Sequence, residues 1–340
     1  MPLTAATAEN AKLDYEAGQT AYAMEALTDS GDQTIFTSNA TYWSNKNGYA
    51  PDVKPNGIIT GGNVIPDNAE VNDTVDISAL TCYLAGVKTT VNAGSVVAAR
   101  GGSADLDHII NSIVVTDAGA LDVITGTGHA TAHNTVRGSA GGPPYVTVGY
   151  IEIAQVKYIS HTSAAVTAAE IHMVPGASRE VWNYPLWDEY PLPEEDGSVD
   201  GGSIKFHTAL EQAHTGDLPK GVYAEYYDPV FAEVPSASNF KPPETSHSVS
   251  SAQVYNGTIG GRSSSLGQGG FTQHLRDGVS DVAPQNKNEI LTFRFYPDRY
   301  KDQFILCQGK LGITRTFPAG DNISAECTIS CTTAAVDQNS

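Results

Sequence analysis

Apolar and polar residues alternate along most of the chain, and this pattern predicts β-strands rather than helices. The clearest case is the C-terminal stretch 308–333. There, Leu311, Ile313 and Arg315 alternate with glycine and threonine at 312, 314 and 316, residues 318–322 have turn composition, and 323–331 places every second residue on one apolar face. Alternation with a period of two is typical of half-buried antiparallel strands. We therefore predict a hairpin at this end of the chain.

Short apolar segments separated by turn residues recur between residues 71 and 160. A spacing of about 8–12 residues between such segments is typical of a β-sandwich. We predict a separate β-sandwich module over 57–172 and a larger β domain over 203–340. The fold class that follows is all-β: a sandwich or barrel domain with an additional β-sandwich module.

Three segments carry other patterns. The alanine-rich stretch 11–26 predicts a short helix, within a segment 1–56 that supplies an N-terminal arm and the first strands of the main domain. The stretch 260–270 predicts a mobile glycine-serine loop. Residues 173–202 are rich in proline and acids and predict a linker. Four large aromatics in this segment either pack on their own domain or form a surface strap that contacts a partner: Trp182, Tyr184, Trp187 and Tyr190.

Composition narrows the possible functions. The chain has 340 residues, 40% of them hydrophobic, and a net charge of −19. That charge argues against simple nucleic-acid binding. There is no secretory signal and no run of about 18 apolar residues, so we expect no membrane span and a reducing cytoplasm. The four cysteines should then be free thiols, with a bridge from Cys307 to Cys327 or Cys331 as the alternative.

Candidate chemistry is sparse. Asp196–Asp200 resembles half of a calcium loop, but His207 stands where a bidentate glutamate is required. His129 and His133 have metal-ligand spacing inside a loop sequence. The acidic pairs at 105/107 and 194/195 would suit glycoside cleavage, but nothing singles them out from other acids. We expect no catalytic residue, no metal and no cofactor, with a carbohydrate-active enzyme as the remote alternative.

The residues GITRTFPAGDNISAECTIS, at 312–330, resemble the closing strands of major tail tube proteins from phages with long, non-contractile tails. Residues 111–116 and 145–171 resemble a β-rich module of larger phage tail proteins. The resemblance implies a virion protein, assembled in the host cytoplasm, that forms stacked hexameric rings. A trimer of duplicated subunits is the alternative ring.

The same resemblance implies the partners. The chain would bind itself and other tail proteins, namely the tape measure, tail terminator and tail tip proteins, with no membrane partner. Double-stranded DNA would pass through the hollow tube without specific binding, because an acidic and small-polar lumen repels phosphate. The module 57–172 would project from the outer surface.

Two stretches are candidate walls or interfaces of such a tube: the thin strand 249–259 and the closing hairpin. The candidate residues are Val249, Ser251, Gln253, Tyr255, Arg315, Phe317, Asp321 and Glu326. The main alternative function is a receptor- or glycan-binding protein of the tail or capsid surface. In that case the aromatic strap and glycine-rich loops would contact a sugar or the host surface.

Overall fold

The computed structural model of the protein describes residues 10–182, 185–194, 199–210, 220–255 and 257–339. Strands make up 51% of the structure and helices 3%. The helical exceptions are two 3₁₀ turns, Ala104–Leu106 and Ala168–Glu170, and one short α-helix, α1 (Val282–Gln285). The prediction of an all-β fold with several sheets is confirmed.

The strands follow one another in three groups. The first group precedes the predicted module and contains β1 (Lys12–Ala26), β2 (Thr28–Asp29), β3 (Ile35–Thr37) and β4 (Asp52–Pro55). The second group lies within the predicted module and contains β5 (Gly57–Gly61), β6 (Val64–Pro66), β7 (Thr74–Ile77), β8 (Leu80–Leu84), β9 (Val87–Val91), β10 (Gly94–Val97), β11 (His108–Val115), β12 (Leu121–Ile124), β13 (Ile151–Ile159) and β14 (Ile171–His172). The third group contains β15 (Trp187–Tyr190), β16 (Ser203–Phe206), β17 (Val222–Glu233), β18 (Ala237–Lys241), β19 (Thr245–Val254), β20 (Gly257–Leu266), β21 (Gly269–His274), β22 (Ile290–Tyr296), β23 (Phe304–Thr316), β24 (Ser324–Ser330) and β25 (Val336–Gln338).

A nine-stranded antiparallel sheet forms the main body. Its order is β18-β21-β24-β23-β22-β1-β17-β4, and β25 pairs with β23 off this path. One apolar core lies against its C-terminal strands and includes Leu13, Phe293, Leu311 and Ile329. The N-terminal strand is thus built into the same layer as the C-terminal strands.

The helix predicted over 11–26 is wrong, because this segment is the long strand β1. It pairs with β22 over Lys12–Tyr15 and with β17 from Asp14 to Ala26. Alanine content favours a helix only weakly, and ladder pairing along both edges with burial of Leu13 outweighs it.

The middle of the chain has its own core. The sheets β10-β7-β6, β5-β8-β9 and β12-β11-β13-β14 enclose it. Its fully buried members all fall between Ile58 and Val166. This core lies inside the stretch predicted as a separate module.

The linker prediction for 173–202 needs correction. The strand β15 lies in this segment and pairs with β16 in the small sheet β15-β16-β3-β2. Upstream of it, Val181 forms a parallel bridge with Ile58 of the module. Trp187 packs against a third core, around Phe36, Trp43 and Phe206. Burial of aromatic surface therefore fixes a segment whose prolines and acids suggest a linker.

The predicted closing hairpin is confirmed as β23 and β24, which pair from Lys310↔Ser330 to Thr316↔Ser324. The predicted apolar face points inward, with Ala325, Cys327 and Ile329 all buried. The turn between the strands contains Gly320 at φ +82°. Few residues other than glycine adopt this left-handed conformation without strain.

We predict that Ile329→Ala lowers the free energy of unfolding by about 2–5 kcal/mol, because it removes a fully buried side chain and leaves a cavity. Glu326→Gln, three residues earlier on the exposed face of the same strand, is the control and should change it by less than about 0.5 kcal/mol. Chemical denaturation of both variants measures the difference. Equal stability of the two would contradict the placement of Ile329 in the core.

Candidate functional site

The most unusual feature of the molecule is the hairpin β19–β20, which we call the projecting hairpin. Its strands pair with each other over ten residues each, from Thr245↔Leu266 to Val254↔Gly257. Within the described residues, neither strand pairs with any other strand. At about 3.3 Å per residue, the hairpin is roughly 33 Å long.

The base of the projecting hairpin is anchored to the main sheet. β19 follows β18, β20 leads into β21, and β18 pairs with β21. At the base, the Gly267 amide donates to the Glu244 carbonyl at 2.9 Å, and the Ala335 amide donates to the Pro243 carbonyl at 2.7 Å. The hairpin is therefore a defined extension of the sheet rather than the mobile loop predicted over 260–270, and that prediction is wrong.

Solvent surrounds the described side chains of this hairpin beyond its base. Val249 is 77% exposed, Ile259 is 61% exposed, and Tyr255 at the tip is fully exposed. Serine pairs across the strands add only local support, with Ser246 and Ser265 hydroxyls 2.9 Å apart. An isolated two-stranded ribbon is marginally stable in water, and its unpaired edges invite pairing with another chain. The geometry thus favours a partner that covers the hairpin.

The charge of the hairpin differs from that of the rest of the chain. Between Thr245 and Leu266 there is no aspartate or glutamate and one arginine, Arg262, although the chain has 38 acids and a net charge of −19. This segment can approach an acidic surface without like-charge repulsion. A second copy of this acidic chain is such a surface.

The eight candidate wall residues separate into two groups. Val249, Ser251, Gln253 and Tyr255 lie on or at the tip of the projecting hairpin and are exposed. The other four belong to the closing hairpin. β21 and β24 pair from Gly269↔Ile329 to His274↔Ser324, so the hairpin leaves one end of β24 and the closing turn lies at the other.

The closing-hairpin group is partly structural. Arg315 Nη1 donates to the Gly278 carbonyl at 2.6 Å, and its guanidinium lies 6.0 Å from the ring centroid of Phe317. Phe317 is 58% exposed. Asp321 is exposed in the turn, and Glu326 is exposed on β24. Phe317 and Asp321 are therefore available to a partner, whereas Arg315 holds a neighbouring turn.

The predicted aromatic strap is not a free surface element. Trp182 packs edge-on against Tyr83 of the module, with ring centroids 4.8 Å apart. Trp187 packs on the third core, and Tyr190 is half-buried on the same strand. Tyr184 lies outside the described residues. Trp182 and Trp187 therefore pack against the protein itself, which is the first of the two alternatives predicted for these aromatics.

The sequence did not single out Glu189, which lies between these aromatics on β15. Burial raises the pKa of this carboxyl to about 7. Its Oε1 atom is buried and has no hydrogen-bond partner among the described residues. The side chain lines a cavity of about 420 Å³ together with Asn45, Gln308 and residues 332–334. Ionisation of the Glu189 side chain should therefore destabilise the packing of β15 around this cavity.

Because the pKa of Glu189 is raised in the fold, its contribution to stability is present below the unfolded pKa of about 4.3 and is lost as pH rises towards 7. The substitution Glu189→Gln keeps the shape of the side chain and removes this loss of stability at higher pH. We expect the variant to match the wild type near pH 4.5 and to unfold a few degrees higher at pH 8, with at most about 4 kcal/mol gained.

Thermal unfolding at several pH values tests this expectation. The matched control is Glu194→Gln, an exposed acid of the same segment, which should follow the wild type at every pH. A pH dependence in Glu189→Gln equal to that of the wild type would contradict the assignment.

Other candidate chemistry is accounted for. All four cysteines are free, as predicted, and burial raises the pKa of Cys82 to about 11. His129 and His133 lie in a loop. In the described part of the chain, no group of three or more His, Cys, Asp or Glu side chains is arranged to hold a metal ion. Residues 196–198 of the calcium-like sequence lie outside the described residues.

No helix of the described residues combines the length and apolar character needed to cross a membrane.

Comparison of the sequence with protein-family profiles, with curated proteins and with solved structures gives no significant match in any of the three. Three features of the chain therefore bear on its function: the geometry of the projecting hairpin, its charge, and the resemblance of the closing strands.

Proposed function

We propose that the protein is a structural subunit that assembles with copies of itself into stacked rings, forming the hollow tail tube of a long-tailed phage. The observation that carries the proposal is the projecting hairpin, a roughly 33 Å ribbon whose described side chains beyond the base are exposed and whose strands pair with no other described strand. Such a ribbon gains stability when a neighbouring subunit pairs with it or packs against it.

Charge supports a neighbour of the same kind. The hairpin has no acidic residue, whereas the chain as a whole has a net charge of −19. Two acidic subunits repel each other unless the contact surface of one lacks negative charge. Docking of the acid-free hairpin on an adjacent copy lowers that repulsion.

The positions of the two exposed elements support an open assembly. The projecting hairpin leaves one end of β24, and the closing turn with Phe317 and Asp321 lies at the other end. Contacts made by different surfaces of one subunit are heterologous, and they generate rings or extended stacks rather than closed dimers. By the resemblance, the rings are hexameric, and tape measure, terminator and tip proteins complete the tail.

An acidic subunit also suits a conduit for DNA. Phosphates bind proteins mainly through lysine and arginine, and this chain has 19 of these against 38 acids. A lumen with this balance repels the DNA backbone, so DNA passes without being retained.

Negative-stain electron microscopy of the concentrated protein tests the proposal. We expect rings, or stacks of rings with a central hole. The diagnostic variant replaces 247–264 with Asn-Gly, a two-residue turn that joins Ser246 directly to its partner Ser265. This variant should stay folded, because none of the described side chains among the replaced residues lies in a core, and it should form no stacks.

Removal of the closing strands would not serve this purpose, because it deletes the buried Leu311 and Ile329 and so unfolds the sheet. Discrete particles without rings at every protein concentration would contradict the proposal. So would normal stacks from the shortened variant.

A charge substitution tests the hairpin contact separately. Arg262→Glu places an acid on a surface that we propose docks on an acidic neighbour, and it should raise the protein concentration needed for assembly by about tenfold. Arg262→Lys keeps the charge and is the matched control. Sedimentation velocity over a concentration series measures both, and identical assembly of the two variants would contradict docking through this face.

A further inference from the structure

A polar cavity lies on the outer face of the module sheet β12-β11-β13-β14. On β13, Ile151, Ile153, Val156 and Tyr158 face the core, whereas Gln155 and Lys157 line the cavity on the opposite face. The loop 126–145 covers that face. Polar residues on the outer face of a strand normally meet water, and a loop folded over them here leaves a partly open polar space.

The covering loop is held in place by its own hydrogen bonds and by bonds to the sheet. The Gly141 amide donates to the Thr127 carbonyl at 2.7 Å, and the Gly138 amide donates to the Pro143 carbonyl at 2.9 Å. His133 Nε2 lies 2.8 Å from the Tyr158 carbonyl of β13. The cavity wall is therefore preformed.

The cavity has a volume of about 630 Å³. Among the described residues that line it there is no aspartate or glutamate. The polar and aromatic side chains in the lining include His133, Asn134, Arg137, Tyr145, Gln155 and Lys157. In a chain with a net charge of −19, a cavity lined by cations, amides and one aromatic ring is a local exception.

An ion pair holds Arg137, one of the lining residues, against the sheet behind the cavity. Glu152 is 1% exposed and pairs with Arg137, which also donates to the Pro144 carbonyl at 2.8 Å. Burial raises the pKa of Glu152, and Arg137 opposes that effect. Ser112 Oγ and Gln155 Nε2 donate to the same carboxylate at 2.5 and 3.1 Å. The charge of Arg137 is thus compensated by Glu152, which lies behind the cavity lining.

Lys157 is the uncompensated cation. It is half-buried on β13, opposite Ile110 of β11, and has no carboxylate partner among the described residues. Burial and then the positive charge of Lys157 lower the pKa of His172, which lies on the adjacent strand. The ammonium group therefore adds a net positive charge to a partly enclosed space, where an anion would be attracted.

Tyr145 supplies an aromatic surface at the mouth of the cavity. Its side chain is 39% exposed, and its ring lies directly over Gly138. A Cβ atom at Gly138 would stand 2.3 Å from Cε2 of the ring, so only glycine permits this position. The ring is fixed, exposed and next to polar groups, an arrangement that suits stacking against a sugar ring.

We propose that this cavity binds a saccharide that carries a carboxylate, with Lys157 pairing with the carboxylate, Asn134 contacting a hydroxyl group, and Tyr145 stacking on the sugar ring. A volume of about 630 Å³ accommodates one or two sugar rings. The site is independent of self-assembly, because it lies on the module and not on the projecting hairpin.

Saturation-transfer difference NMR with the full-length protein tests the site and suits weak binding. The probes are sodium glucuronate, glucose as the neutral sugar of the same shape, and inorganic phosphate as an anion without a sugar. We expect wild-type protein to bind glucuronate at least about tenfold more tightly than glucose or phosphate, because glucose lacks the carboxylate that pairs with Lys157 and phosphate lacks the sugar ring that stacks on Tyr145.

Two substitutions locate the binding. Lys157→Gln should weaken glucuronate binding at least about tenfold and leave glucose unchanged, whereas Lys88→Gln, an exposed lysine of β9, should have no effect. Tyr145→Ala should weaken both sugars. Thermal unfolding checks that each variant is folded. No glucuronate signal from the wild type, phosphate bound as tightly as glucuronate, or an unchanged affinity in Lys157→Gln would each overturn the proposal.

Discussion

The pairing of β1 with both β22 and β17 is the constraint on which the main body depends. It places a strand from the start of the chain between two strands that lie more than 190 residues further on. Glu16, fully buried in β1, secures the junction, because its carboxylate accepts a hydrogen bond from the Thr292 amide at 3.1 Å and another from the Ser44 hydroxyl. β1 contacts both the C-terminal core, through Leu13, and the core around Trp43, through Tyr22.

A body held in this way can carry an element that is not stable by itself. The projecting hairpin starts from β18 and β21, at one edge of the nine-stranded sheet, while its own strands lack any core. The other outermost strand of that sheet, β4, is short and contains Asp52, Lys54 and Pro55, which disfavour pairing with another chain. Because the β4 edge disfavours pairing and the projecting hairpin is long and exposed, we expect the proposed association to involve the hairpin. The module has a separate core, and its surface takes no part in the proposed association.

The sequence predicted the parts of the fold that depend on local patterning. The alternation from Ile323 to Cys331 was sufficient to define β24 and its buried face, because one face of that strand meets the core. Local patterning failed for β1, where long-range pairing outweighs alanine content. It also failed for 260–270, where the serine and glycine residues show no alternation of apolar and polar positions. Within the candidate site, the single strand predicted over 249–259 is wrong, because this stretch contains the end of β19 and the start of its partner β20, so the hairpin was missed. The absence of acids between Thr245 and Leu266 was readable from the sequence and was the available signal.

The most direct test of the central claim is hydrogen exchange of residues 245–266, followed by mass spectrometry at low and at high protein concentration. An unpaired ribbon exposes half of its amides along its outer edges, and these exchange rapidly. If the hairpin docks on a neighbouring copy, its amides should become protected at the concentration where rings appear, while the core strand β23 stays unchanged. Assembly without protection of 245–266 would contradict the account.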